Sequence, residues 1–136
     1  DSWLLFCSHP DDFTPVCTTE LGTLAGIVPE LESRNVKVCA ISCNSAESHS
    51  AWIADITAAT GNEVNYPIIA DEDRSRAEVL GMLDESNRDN AGLPLTVRQV
   101  FIVAPNKAIK LMLTYPASTG RNFHEVVRCI DSLQLT

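Results

Sequence analysis

The chain has 136 residues, of which 45% are hydrophobic and 21% charged, and its net charge is -8 at pH 7. This length and balance favour one globular domain with one core. The acidic charge disfavours nucleic acid as a partner, because phosphate backbones bind clustered Lys and Arg. We find no apolar run long enough to predict a membrane span, and we expect no secretory signal.

Strand and helix patterns alternate along the chain. Continuous apolar runs predict strands, apolar residues at helical spacing predict helices, and Gly, Pro and Asn predict turns. In chain order we predict a strand at 3–7, a helix at 15–31, a strand at 36–42, a helix at 46–60, a strand at 66–70, a helix at 74–80, a loop at 84–95, strands at 97–103 and 108–115, and a final helix capped by Asn122. This order predicts a single α/β domain over residues 1–136, with a mixed, mostly parallel sheet, helices on both faces and a thioredoxin-like layout.

The first helix has a marked start and an internal proline. Thr14 is a favoured N-cap, and Pro15 suits the first helical position, where its missing N–H would be unpaired anyway. Pro29 lies inside the helical pattern. We therefore expect Pro29 to kink or shorten the helix.

The chain has five cysteines at irregular spacing. Neither a Cys-x-x-Cys redox pair nor a zinc-ribbon pattern occurs. Free thiols in a reducing compartment are the simpler interpretation, so we expect a cytoplasmic protein; an organelle stays open because the chain starts abruptly. Four thiols are expected to be core residues, namely Cys7, Cys39, Cys43 and Cys129.

Cys17 differs from the other cysteines because it would be the third residue of the predicted first helix. Unpaired backbone N–H groups and the positive end of the helix dipole favour a thiolate there. A reactive site also needs a hydroxyl, which Thr14 can supply, and a fixed cation, for which arginine is best suited. Taken alone, a cysteine at this position is more often an ordinary small residue.

The segment 8–21 places Pro10, Thr14 and Cys17 in the spacing Pro, three residues, Thr, two residues, Cys. This spacing resembles the peroxidatic motif of the peroxiredoxins. The His before the Pro and the run Pro-Val-Cys-Thr-Thr-Glu resemble the one-cysteine class, the peroxiredoxin six subfamily. Further resemblance covers nearly the whole chain, at 36–42, 66–71, 80–84, 115–122 and 131–133. The extra amino-terminal strand region and the carboxy-terminal domain of that class lie outside this chain.

The resemblance implies a thiol peroxidase that reduces hydrogen peroxide and organic hydroperoxides in antioxidant defence, with no cofactor or metal. Cys17 would attack the peroxide and become a sulfenic acid. Thr14 would hydrogen-bond the peroxide, Pro10 would shield the sulfur, and Arg98 matches the family's active-site arginine. Supporting roles are implied for Arg121 as a second arginine near the pocket, Glu20 as an orienting carboxylate, and His9 as a residue near the sulfur.

The resemblance also bears on partners. Position 22 is Gly, so a resolving cysteine five residues after Cys17 is missing. An external thiol, such as glutathione or a thiol protein, is therefore the expected reductant. The family further implies a homodimer joined edge to edge through the last strand, at residues 108–115, which would cover an exposed strand edge.

Other interpretations stay open. Cys17 could serve a redox sensor with little turnover, or it could be incidental in an oligomeric holdase. Some animal relatives carry a phospholipase activity on a Gly-Asp-Ser-Trp-Gly segment with an Asp partner; Leu4 and Asn106 replace two of those residues, which disfavours it. A metal site is disfavoured by ligand spacing, with candidate donors His9, Cys17, Cys39, Cys43 and His49.

Overall fold

The structure is a computed structural model that describes all of residues 1–136. The chain forms, in order, β1 (Trp3–Ser8), α1 (Pro15–Ser33), β2 (Val36–Ser42), α2 (Ala46–Thr60), β3 (Ile68–Ala70), α3 (Ser75–Val79), β4 (Leu83–Arg88), β5 (Pro94–Thr96), β6 (Arg98–Val103), β7 (Ile109–Tyr115) and α4 (Phe123–Leu135). None of these helices combines the length and the apolar character needed to cross a bilayer.

Five strands form the main sheet, in the order β3-β2-β1-β6-β7. The β1–β2 and β2–β3 pairings are parallel, whereas β6 pairs antiparallel with both β1 and β7. The sheet is therefore mixed, as predicted, but its parallel pairings are half of the total rather than the majority. This arrangement confirms the predicted thioredoxin-like α/β fold.

Helices cover both faces of the sheet, but unequally. On one face, α1, α2 and α4 pack on the sheet and form a core of 23 buried residues. Trp52 and Phe123 are among the largest side chains of this core. A cluster of 4 buried residues on the other face brings Ala77 of α3 against Ile41 and Phe101 of the sheet. Because successive side chains of a strand point to opposite faces of the sheet, one strand can contribute residues to both clusters.

Of the two effects predicted for Pro29, a kink or a shortened helix, the shortening does not occur. α1 continues past this residue to Ser33. A proline removes one backbone donor, but the buried side chains of Val28 and Leu31 keep the last turns packed on the core. Tertiary packing outweighs the local preference here.

The predicted loop at 84–95 is also wrong. Within it, β4 and β5 pair antiparallel and form a separate two-stranded sheet, which we call the β4–β5 hairpin. Most side chains of β4 are exposed or half-buried. A strand without a buried face carries no apolar alternation, so the sequence pattern does not reveal it.

The end of β1 is tied to the start of β6. The Ser8 hydroxyl donates to the carbonyl of Val97 and accepts from the backbone N–H of Gln99 at 3.0 Å. The loop that leaves β1 contains Phe13 at φ 63°, an uncommon left-handed conformation for a residue other than glycine. This turn directs the chain into α1, so the start of α1 and residue 98 of β6 come together.

Candidate active site

Cys17 lies in the first turn of α1, and its side chain is fully buried. Thr14 occupies the N-cap position with an extended backbone, as predicted, but its hydroxyl does not cap the helix. Instead, the Thr14 hydroxyl donates to the carbonyl of Asp11 at 2.9 Å. Because its proton is already used, this oxygen is free only to accept a hydrogen bond from a substrate.

Arg98 reaches the sulfur from the first position of β6. Its Nη1 lies 3.1 Å from Cys17 Sγ and 2.6 Å from Glu20 Oε1, and its Nε donates to the carbonyl of Ala117 at 2.9 Å. The guanidinium is thus held on three sides with its charge against the sulfur. Its remaining nitrogen, Nη2, donates to no protein acceptor.

The Glu20 carboxylate is shared between two arginines. It accepts from Arg121 Nε at 3.0 Å, from Arg121 Nη2 at 3.1 Å and from the Arg121 backbone N–H. Burial alone would raise the pKa of Glu20, but the hydrogen bonds and charge of Arg121 outweigh burial and hold this pKa below its usual range. Two buried guanidinium groups against one carboxylate leave one excess positive charge, which a Cys17 thiolate would neutralise.

A cleft of about 400 Å³ opens at the start of α1. One wall carries Pro10, Thr14 and Arg98, and the opposite wall is formed by residues 87–90 of the β4–β5 hairpin. The structure therefore brings Pro10, Thr14 and Arg98 to one cleft, and Arg98 also contacts Cys17, which does not itself line the cleft. Arg98 links the buried sulfur to this cleft.

His9 forms no hydrogen bond with Cys17. Its Nε2 donates to Asp12 Oδ1 at 2.7 Å, and its ring packs against Trp52 with centroids 4.9 Å apart. The other Asp12 oxygen accepts from His49 Nδ1 at 2.6 Å and from the Ser48 hydroxyl at 2.8 Å. Asp12 therefore joins the active-site loop to α2 through hydrogen bonds with His9 and His49. We call these three residues the clasp.

Sequence reasoning missed the part that Asp12 and His49 play. An acid three residues after a histidine is a common local pattern, and nothing in it points to a histidine 37 residues further on. His9, Asp12 and His49 form the one group of potential metal ligands in the structure. Each histidine nitrogen lies 2.6–2.7 Å from an Asp12 oxygen, which is a hydrogen-bonding distance, so the observed geometry is that of a hydrogen-bonded clasp.

Burial and hydrogen bonding shift the pKa values of Asp12 and His9 within this clasp. Burial alone would raise the pKa of Asp12, but hydrogen bonds from His49 and His9 hold this pKa well below its usual range. Burial lowers the pKa of His9 against the opposing effect of Asp12. His9 Nδ1 is buried without a hydrogen-bond partner, so a proton added there would be an unsatisfied buried donor.

Among the other cysteines, Cys7 lies within reach of the charges of Arg121 and Glu20. Burial raises the pKa of the Cys7 thiol to about 11, so it stays protonated near neutral pH. Cys43 and Cys129 are buried as expected, but Cys39 is only half-buried, which corrects its assignment to the core. All five thiols, including Cys17, are free.

A thiol set against a fixed guanidinium, on a thioredoxin-like sheet, is the arrangement expected of a cysteine-based redox protein. The chain belongs to the AhpC/TSA family, whose model matches residues 1–112. It is 52% identical over 148 residues to a 1-Cys peroxiredoxin of Dirofilaria immitis and 55% identical over 140 residues to Peroxiredoxin-6 of Gallus gallus. The predicted resemblance to the one-cysteine peroxiredoxins is confirmed.

Solved structures agree with this assignment. The C45S mutant of the Peroxiredoxin 6 of Arenicola marina superposes with a TM-score of 0.95 at 49% identity and covers 98% of this chain. The yeast mitochondrial 1-Cys peroxiredoxin superposes with a TM-score of 0.91 at 46% identity and covers 100% of this chain. This chain spans only part of these proteins. It covers 63% of the Dirofilaria protein and 62% of the Gallus protein. It covers 62% of the Arenicola chain and 65% of the yeast chain.

The titration of His9 can be tested through stability. Because the pKa of His9 is lowered in the fold, its contribution to stability is fully present above the unfolded pKa of about 6.5 and is lost as pH falls below it. His9→Gln keeps a donor for Asp12 and does not titrate. From about pH 7.5 to about pH 5, the free energy of unfolding in urea should fall more steeply for the native protein than for His9→Gln. Parallel pH profiles would contradict this account.

Proposed function

We propose that this chain is the peroxidase domain of a one-cysteine peroxiredoxin, a thiol-dependent enzyme that reduces hydrogen peroxide and organic hydroperoxides in antioxidant defence. The carrying observation is the contact of 3.1 Å between Arg98 Nη1 and Cys17 Sγ, inside a cluster with one excess positive charge. Arg98, which contacts the sulfur, also lines an open cleft, so a peroxide in that cleft would lie next to the guanidinium.

The oxidation step follows from this geometry. The Cys17 thiolate attacks the terminal oxygen of the peroxide, the O–O bond breaks, and sulfur loses the two electrons that the peroxide gains. The terminal O–H stays on sulfur as a sulfenic acid, and the departing alkoxide or hydroxide takes up a proton and leaves as alcohol or water. Arg98 Nη2 is placed to donate to the departing oxygen, and Thr14 Oγ1 to accept from the terminal O–H. Pro10 adds an apolar wall that limits water at the sulfur.

The sulfenic acid must then be reduced. We infer an external thiol, such as glutathione or a thiol protein, because the Cys7 thiol is held protonated and position 22, five residues after Cys17, is Gly. The structure of the yeast 1-Cys peroxiredoxin concerns its thiol resolving mechanism via glutathione/thioredoxin systems, which supports the same class of reductant here. Five free thiols also support a reducing compartment, and we propose the cytoplasm.

We also propose a homodimer formed through β7. This strand is an edge of the main sheet, and its outer residues Ile109 and Met112 are exposed. An unpaired edge with exposed apolar side chains is suited to pairing with a second copy.

Cys17→Ser is the first comparison to make. One equivalent of hydrogen peroxide should rapidly add one oxygen to the reduced protein, seen by intact mass and a sulfenic-acid trap, and the variant should gain none. A small thiol should then restore the starting mass. Loss of two hydrogens would show an internal disulfide and a resolving cysteine, against the one-cysteine cycle. Oxidation without repeated turnover would favour a redox sensor.

Arg98→Lys tests the guanidinium. Lysine keeps the buried positive charge beside Glu20 but loses the hydrogen bond to Ala117 and the second donor nitrogen. The rate constant for oxidation by hydrogen peroxide should fall about 100-fold, the usual effect of removing one fixed donor from a developing negative charge. Arg128→Lys, at an exposed pair with Glu125, is the matched control and should leave the rate unchanged. An equal rate in Arg98→Lys would remove this residue from the mechanism.

Met112→Lys tests the dimer. A charge on the outer face of β7 should shift the protein from dimer to monomer in light scattering at micromolar concentration. Val79→Lys, at a residue that is 86% exposed on α3, is the control and should leave the mass unchanged. A native protein that is monomeric, or a dimer untouched by Met112→Lys, would exclude pairing through this strand.

A further inference from the structure

The backbone of Thr14 and the hydroxyl of Thr14 are held by different contacts. The Thr14 carbonyl accepts from the backbone N–H of Thr18 at 2.9 Å and from the Thr18 hydroxyl at 2.8 Å, which fixes the residue at the start of α1. The direction of the hydroxyl proton is set instead by its bond to the carbonyl of Asp11, at 2.9 Å. That bond leaves the lone pairs of the hydroxyl oxygen to accept from a peroxide in the cleft. The orientation of the Asp11 carbonyl therefore decides which acceptor a peroxide meets.

The peptide unit that carries this carbonyl is held from its opposite edge. The unit joins Asp11 to Asp12, so it presents the Asp11 carbonyl on one edge and the Asp12 N–H on the other. The Asp12 N–H donates to Asn44 Oδ1 at 3.1 Å. Because a peptide unit is planar, a restraint on its N–H also restrains the direction of its carbonyl. Hydrogen bonds in such a chain polarise one another, which strengthens the bond from Thr14 to this carbonyl.

The side chain of Asn44 is itself fixed to an inner strand of the main sheet. Asn44 lies two residues beyond the end of β2, and its Oδ1 also accepts from the Ser42 hydroxyl at 3.0 Å. Ser42 is fully buried. On its other side, Asn44 Nδ2 donates to Asp11 Oδ1 at 2.8 Å. An amide oxygen has two lone pairs, so Oδ1 is fully used and the side chain is locked between β2 and the active-site loop.

We propose that Asn44 is a positioning residue for the oxidation of Cys17. It orients the Asp11–Asp12 peptide so that the Thr14 hydroxyl presents its lone pairs to the terminal O–H of the peroxide. This role rests on the proposed peroxidase function. Asn44 is not among the residues that line the cleft, and its hydrogen bonds reach Thr14 only through this peptide. None of those bonds involves Arg98 or Glu20, so Asn44 leaves the charges around the sulfur unchanged.

Asn44→Ala removes the acceptor for the Asp12 N–H and releases the peptide. The Thr14 hydroxyl then loses its fixed direction, and the rate constant for oxidation of Cys17 by hydrogen peroxide should fall about tenfold, as expected for one hydrogen bond. Asn106→Ala is the matched control, because it removes a similar bond to the backbone N–H of Ala108 in an exposed turn. It should keep the native rate.

A double-mutant cycle with Thr14→Val distinguishes positioning from a general loss of structure. Valine keeps the shape of threonine without the hydroxyl, so adding Asn44→Ala to Thr14→Val should cause no further loss of rate. A merely structural Asn44 would slow the reaction by the same factor in both backgrounds. That result, or a native rate in Asn44→Ala, would overturn the positioning role.

An exchanged pair keeps the test valid where Asn44→Ala weakens folding. Asp11→Asn combined with Asn44→Asp conserves the net charge and the hydrogen bonds of the pair, with donor and acceptor exchanged. The exchanged pair should react at close to the native rate, since the acceptor for the Asp12 N–H is still present. A tenfold loss of rate in this folded variant would contradict the proposed role.

A measurement without peroxide separates this role from the peroxidase function. The NMR signal of the Asp11 carbonyl carbon responds to the hydrogen bond from Thr14, so Thr14→Val should shift this signal in the reduced protein. The same substitution should shift it much less when Asn44→Ala is present, because the bond is then already lost. If this pattern is seen in a protein that forms no sulfenic acid, only the peroxidase function is contradicted. Equal shifts in both backgrounds would overturn the role of Asn44, whether or not the protein is a peroxidase.

Discussion

The carboxylate of Glu20 is the interaction on which the rest of the site depends. It is buried between two guanidinium groups, which would otherwise be uncompensated charges in the core. Arg98 is thereby fixed beside the sulfur, and Arg121 joins the chain before α4 to α1. The cluster therefore carries one excess formal positive charge beside the Cys17 sulfur. The ion pairs that compensate the buried charges therefore also fix the guanidinium that would act on this sulfur in the proposed peroxidase.

A second constraint fixes the loop that covers this cluster. Asp12 holds His9 from its own loop and His49 from α2, while Ser8 ties the end of β1 to β6. The reacting groups come from segments distant in sequence, yet each is restrained by at least one buried polar contact. In the proposed peroxidase, a peroxide would therefore meet a preorganised set of donors and acceptors, which favours electrostatic catalysis.

Sequence patterns predict those site residues that lie close together along the chain, and they do not predict contacts between distant segments. Thr14, Pro15 and Cys17 share one helix start, so capping rules place the thiol. Arg98 lies 81 residues from Cys17, and only the family resemblance brought it to the site. The Asp12–His49 contact and the β4–β5 hairpin were missed because a buried polar contact and a strand without a buried face leave no periodic pattern. The alternation of strands and helices, which follows from burial, predicted the fold.

The cleft joins two parts of the fold that have separate structural origins. The wall with Thr14 and Arg98 belongs to the five-stranded sheet and its core, whereas the facing wall belongs to a two-stranded sheet outside that core. Substitutions in the hairpin can therefore change what the cleft admits without disturbing the buried charges around the sulfur. This separation would let related proteins diversify in their partners during evolution while the reaction at the thiol stays the same.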